Sequence, residues 1–334
     1  MYCPGITNQK VSFLLRPALA SLFSVCAILG AGLALPVQAV AVEESTLALA
    51  EMTSTMVPAP VPYAVLTPPA YNDSEQSYPL LLWLHGGGGN RDSLVNQQPW
   101  FDTAWQTETA PAMVVVTPSA GRSFYMDYRN GAERWESFLL QELLPAMQTQ
   151  YRIDPERIYI GGISMGGMGS LRMAFKYPDR FRGVIALEPG IEPALAFDDI
   201  KLEDKFWRAD AIFEERYGSP VDAAYWADNN PATIAQLNPQ RLIDSGLAIY
   251  IEAGTEDMYG LHRGTDFLHR ILFDSGVKHE YRYVLGADHV GATIRPRVMN
   301  ALDFMQRVEA PLVADPVADA ARQRIDLQKR RAGL

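Results

Sequence analysis

The stretch Arg157-Ile158-Tyr159-Ile160-Gly161-Gly162-Ile163-Ser164-Met165-Gly166-Gly167-Met168 changes its apolar pattern within a few residues. Arg157 to Gly161 is a short apolar, β-branched and aromatic run, which reads as a buried strand. From Met165 to Tyr177 the apolar residues recur at helical spacing. Gly162-Ile163-Ser164-Met165-Gly166 lies between them and matches G-x-S-x-G. Glycine and serine are common, so the pattern alone says little. Its weight comes from its place, directly after a strand and at the opening of a helix. Such a turn is sharp and strained, lifting the serine hydroxyl above a sheet, and the flanking glycines let the two backbones approach without Cβ clashes.

Outward from this turn, the same alternation recurs. Pro79–Leu84, Met113–Thr117, Gly183–Leu187, Ala248–Ala253 and Glu280–Leu285 read as further strands. Trp135, Phe138, Leu139, Leu143, Leu144 and Met147 share one helical face, and helices are expected over about Gly260–Asp274 and Thr293–Val308. Strands alternating with helices predict an α/β fold, with a mostly parallel central sheet and helices on both faces. Reactive groups then gather at the carboxyl ends of the strands. The expected division is a catalytic domain over 61–310, within which 190–240 breaks the alternation as a cap or rim insertion. Residues 40–60 read as a linker, and 311–334 as a tail that is a frayed helix or disordered.

At the start of the chain, Lys10 and Arg16 precede an apolar run from about Ala18 to Leu35, followed by Val37-Gln38-Ala39. That arrangement predicts a secretory signal peptide over 1–39, cut after Ala39, with an uncut membrane anchor as the alternative. Secreted or periplasmic location without stable membrane insertion follows from the first. Cys3 and Cys26 both lie in this leader, so the mature chain has no disulfide and no cysteine nucleophile. The formal charge of −10 becomes −12 once Lys10 and Arg16 are removed. An acidic body does not suit nucleic acid, whose binding rests on cations neutralising phosphates.

A serine hydroxyl needs an adjacent base. The chain offers His85, His262, His269, His279 and His289. With a serine elbow of this type the order along the chain is Ser, acid, His. His289 lies on the loop after the last strand, whereas His262 and His269 sit on a helix and His279 leads into a strand. Ser164 and His289 are therefore the expected nucleophile and base. Asp257, on the loop after Ala248–Ala253, is the expected orienting acid, with Glu188 and Glu256 as rivals. Asp288 adjoins His289 too closely in sequence to reach its ring. His85-Gly86-Gly87-Gly88-Gly89 follows the first of the strands and suits an oxyanion hole. Its donors would be the N–H of Met165 and that of Gly87, or else Gly86. Each such donor contributes about 3–4 kcal/mol to the transition state. His85 is expected to brace the loop.

These motifs resemble the Putative esterase family of α/β-hydrolases, which includes esterase D, feruloyl and acetylxylan esterases and mycolyltransferases. The resemblance is carried by LLLWLHGGGG (80–89), SFYMDYRNGAERWESFLLQELLPAMQTQYRI (123–153), GGISMGGMGSLRMAFKYPDRFRGVIALEPG (161–190), GTEDM (254–258) and GADHVG (286–291), and spans about Pro62 to Val308. It implies the α/β-hydrolase fold and hydrolysis of acyl esters with neither metal nor organic cofactor. One departure stands at Glu188-Pro189-Gly190, where such proteins often carry serine and glycine. An acid there would raise the pKa of His289, or select a cationic or hydroxyl-rich substrate.

The function expected is that of an exported serine carboxylesterase acting on a small-molecule or carbohydrate ester, with Tyr125, Asp127, Glu188 and Trp207 as candidate substrate contacts. Ordinary packing is the competing reading of Tyr125, Asp127 and Trp207. Two other functions remain open: acyl transfer to an alcohol or sugar, and a non-catalytic secreted glycan-binding protein on the same fold.

Overall fold

The computed structural model describes residues 44–311 and 313–334. The expected leader, residues 1–39, lies outside them. The strands are β1 (Thr46–Met52), β2 (Val61–Thr67), β3 (Tyr78–Leu84), β4 (Val114–Pro118), β5 (Ile153–Ile163), β6 (Gly183–Leu187), β7 (Ala248–Gly254) and β8 (Glu280–Val284). They form one sheet in the order β1-β2-β4-β3-β5-β6-β7-β8. From β4 across to β8 each neighbouring pair is parallel, while β2 runs antiparallel to β4 and β1 antiparallel to β2.

Helices follow the strands: α1 (Asp92–Gln106), α2 (Trp135–Phe138), α3 (Leu144–Gln150) and α4 (Met165–Lys176). Then come α5 (Leu202–Lys205), α6 (Asp210–Tyr217), α7 (Ala223–Asp228), α8 (Pro231–Leu237), α9 (Pro239–Ser245), α10 (His262–Asp274), α11 (Ile294–Glu309) and α12 (Pro316–Arg331). Side chains alternate across a strand, so each strand feeds two cores. Leu80, Leu82, Val116, Ile158 and Ile160 face a core shared with α3 and α4. Leu81, Trp83, Val115, Tyr159 and Ile185 face the other, shared with α1 and α11. Burial on both faces is why β3 and β4 are continuous apolar runs with every residue buried. Each fully buried side chain of this kind contributes about 1.5–3 kcal/mol. The result is an α/β-hydrolase fold.

One of the expected divisions needs correction, and two are made definite. Within the expected linker 40–60, Thr46–Met52 forms β1, paired with β2 through seven residues from Thr46↔Thr67 to Met52↔Val61. It is an edge strand whose residues are only partly covered, so its sequence carries little apolar alternation. The segment 190–240 is built of the short helices α5 to α9. Its aromatic residues extend the core on the α4 side of the sheet: Phe213, Tyr217 and Trp226 are buried in it, and Phe197 meets both Phe213 and Trp226 edge-on. The tail forms α12, opened by Asp315, whose side chain accepts the Val317 N–H at 2.9 Å. That helix has no buried residue. Among the described residues no helix is long and apolar enough to cross a membrane.

Candidate active site

The turn between β5 and α4 packs against the end of β3. A Cβ at Gly162 would lie 2.4 Å from the Leu84 carbonyl oxygen, and one at Gly166 would lie 2.1 Å from it, so only glycine fits either place. Ser164 between them has φ 58° and ψ −115°, a left-handed backbone that is costly for a residue with a side chain. Neighbouring strands and loops hold it there. The Ser164 N–H donates to Leu187 O at 2.8 Å, and its carbonyl accepts from Met168 N–H at 3.0 Å and Gly190 N–H at 3.1 Å.

Beside the serine, Gly89 N–H donates back to Gly86 O at 2.9 Å, closing the glycine turn after β3. A Cβ at Gly86 would come within 3.7 Å of the Ser164 Cβ, whereas one at Gly87 would meet nothing within 4 Å. Among the described residues, no acceptor satisfies the Gly87 or Met165 N–H. His85 braces this turn. Its Nε2 accepts from Ala120 N–H at 3.0 Å, which leaves the proton on Nδ1 to donate to Gly86 O at 2.8 Å. Burial lowers its pKa, which keeps the ring neutral.

His289 sits on the loop between β8 and α11. Its Nδ1 donates to Asp257 Oδ2 at 2.9 Å. Its backbone N–H donates to Asp288 Oδ1 at 2.6 Å, so Asp288 fixes the loop while Asp257 holds the ring. The other Asp257 oxygen accepts from Tyr259 N–H at 2.8 Å and Leu261 N–H at 3.3 Å. Burial opposes charge on Asp257, but the His289 contact and these N–H groups outweigh it and hold the carboxyl below its usual pKa. The rival Glu256 is exposed and bonded to Thr255 Oγ1 at 3.1 Å. Ser164, Met165, Gly86, Gly87, Trp207 and His289 all border one cavity of about 560 Å³.

Glu188 departs from its expected place. It is fully buried at the end of β6 with φ 47°, and it does not border the cavity. Its Oε2 lies 2.9 Å from His289 Nδ1, and its Oε1 lies 2.5 Å from Arg297 Nη1. Neither oxygen is aligned with a hydrogen-bond donor, so the imidazole N–H is aimed at Asp257 and Glu188 is an electrostatic neighbour. Behind it, Arg297 Nε pairs with Glu252, which also accepts the Tyr250 hydroxyl. Burial pushes the Glu252 carboxyl above its ordinary value, although Tyr250 and Arg297 counter the effect. Burial would lower the pKa of His289, yet Asp257 and Glu188 together raise it to about 9.

Two further candidates are corrected. Tyr125 has no exposed surface, and its hydroxyl donates to His85 O at 2.9 Å, so it supports the glycine turn from beneath. Asp127 accepts the Ser137 N–H at 3.0 Å and the Ser137 hydroxyl at 2.6 Å. It ties down the start of α2, away from the cavity. Trp207 does reach the cavity wall. The residues that the sequence reading missed are Arg297, Glu252 and Tyr250. The available signal was charge in apolar settings: an acid within Ile249-Tyr250-Ile251-Glu252-Ala253, and an arginine beside Val298.

An eight-stranded sheet with a strained serine turn, and an acid-held histidine on the loop after its last strand, defines the α/β-hydrolase class. The model of the Putative esterase family matches residues 54–290, and the chain belongs to that family. An esterase of Mycobacterium tuberculosis is 28% identical over 202 residues, covering 57% of this chain and 42% of the relative. The chain thus spans under half the length of that relative. The S-formylglutathione hydrolase of Mus musculus is 24% identical over 258 residues, covering 66% of this chain and 88% of that protein. Among solved structures, a ferulic acid esterase superposes with a TM-score of 0.65 at 22% identity, covering 80% of this chain and 99% of the other.

Proposed function

We propose that the chain is an exported serine carboxylesterase that works through an acyl-enzyme on Ser164. The observation that carries this reading is one cavity bordered by both Ser164, on its strained turn, and His289, whose Nδ1 donates to Asp257 at 2.9 Å. His289 accepts the Ser164 proton as the hydroxyl attacks the ester carbonyl, then returns it to the departing alcohol. Asp257 fixes the ring tautomer and stabilises the imidazolium. The free N–H groups of Gly87 and Met165 hold the oxyanion. Water, activated by His289 in turn, releases the acid.

Export rests on the leader read in residues 1–39. For the substrate, an acyl ester on a carbohydrate or aromatic acid is the reading that the ferulic acid esterase likeness supports. The aromatic wall supplied by Trp207, Phe124 and Tyr259 agrees with it. The test is a panel of acetyl, feruloyl and longer acyl esters, assayed for free acid with Ser164→Ala as control. Hydrolysis by the wild type, reduced about 10⁶-fold in the variant, is expected. Activity surviving in a folded Ser164→Ala protein would overturn the mechanism, and acyl transfer to added sugar in place of free acid would overturn the hydrolase assignment.

A further inference from the structure

His289 Nδ1 has two carboxylates at the same distance. Asp257 Oδ2 comes from the loop after β7 and Glu188 Oε2 from the end of β6, each 2.9 Å away. Both side chains are buried. Only Asp257 is aligned with the N–H, and both Glu188 oxygens lack an aligned donor. An anion in that position is expensive. Burial strips the carboxylate of its hydration, and the left-handed backbone of Glu188 adds strain to that cost. Arg297 already pairs with Glu252, so the guanidinium does not by itself require a second acid.

We propose that Glu188 is a second orienting carboxylate for His289, which takes the Nδ1–H when Asp257 cannot. This rests on the reading of Ser164 and His289 given above.

The groups around Glu188 suit that role. Arg297 on α11 holds Oε1, leaving Oε2 toward the ring. Glu252 on β7 accepts the Glu188 N–H at its carbonyl, at 2.7 Å, which fixes the backbone from which the side chain reaches. Asp257 and His289 face it from the two loops beyond, and Arg282 on β8 acts on Glu252 and Tyr250 behind it. A small rotation of the imidazole exchanges one acceptor for the other without changing tautomer, because both carboxylates address Nδ1. Glu188 touches no substrate in this scheme. It is a positioning residue, and it keeps the proton on the nitrogen remote from Ser164.

The experiment compares wild type, Asp257→Asn, Glu188→Gln and the double variant, with Ser164→Ala in the same ester assay. Removing the sole acid of a serine triad lowers kcat about 10⁴-fold. Here Asp257→Asn is expected to fall well short of that loss, and the double variant to reach it. Glu188→Gln alone is expected to keep KM while moving the pH profile of kcat/KM to lower pH. If Glu188→Gln does not fold, Glu188→Asp keeps the charge for Arg297 but is one methylene shorter, and should equally cancel the residual activity of Asp257→Asn. The downfield proton resonance of the His289 Nδ1–H gives a readout independent of turnover. It should persist in Asp257→Asn and vanish in the double variant. A full 10⁴-fold loss in Asp257→Asn, with no further loss or spectral change on removing Glu188, would overturn the proposal. An inactive wild type, or an active Ser164→Ala, would instead remove the reading on which it rests.

Discussion

Arg297 Nη1 lies 2.5 Å from Glu188 Oε1, on the side of the carboxylate away from His289. The guanidinium, the carboxylate and the imidazole form one buried row. Glu188 and Asp257 meet the ring from β6 and the loop after β7. Arg297 is shared between Glu188 and Glu252, and a protonated His289 is the next cation at hand. Inside a protein, where charges are weakly screened, that imbalance favours the imidazolium.

The first consequence is for activity. General-base catalysis needs neutral His289, and its pKa is raised to about 9. kcat/KM for an ester should therefore climb with pH through neutrality and level off only above about 9. A pH–rate profile of the free enzyme checks this, and a plateau already reached at pH 7 would contradict it.

The same shift acts on stability with the opposite slope. The folded-state pKa of His289 lies above its unfolded value, at about 9 against 6.5. Its stabilising contribution is full below 6.5 and is lost as pH rises through about 9. Urea midpoints of wild type and His289→Gln, measured across that window, should converge as pH increases. Parallel curves would show that the ring gains no charge on folding.

Arg297→Met leaves Glu188 and Glu252 without their guanidinium. Breaking a buried pair from one side costs about 3–5 kcal/mol, so a large fall in the urea midpoint is expected. Restoration of most of that loss in the triple change Arg297→Met, Glu188→Gln, Glu252→Gln would show that uncompensated charge was the cause.

Tyr125→Phe removes the hydroxyl that donates to His85 O at 2.9 Å. A loss of about 0.5–1.5 kcal/mol is expected, with kcat lowered through the glycine turn and KM unchanged. A rise in KM alone would instead make Tyr125 a substrate contact.

How much of this was legible in the sequence follows from the kind of signal each part leaves. The serine turn was readable because a strand, two obligatory glycines and a helix are all local. His289 and Asp257 followed from chain order and from their position after strands. β1 was not legible, since an edge strand that is nowhere fully buried needs no clear alternation of apolar and polar residues. Tyr125 and Asp127 were misplaced because a loop gives no indication of which way its polar atoms turn. Both are used inward, on His85 and Ser137. Glu188 was noticed as an oddity, but its partner Arg297 is 109 positions further along the chain, and no local pattern connects them.

The most direct test of the central claim is covalent labelling by a fluorophosphonate probe, with the modified residue located by mass spectrometry in wild type, Ser164→Ala and His289→Ala. The account expects a single adduct on Ser164 in the wild type, none in Ser164→Ala, and strongly slowed labelling in His289→Ala. An unlabelled but folded wild type, or an adduct on another residue, would contradict it.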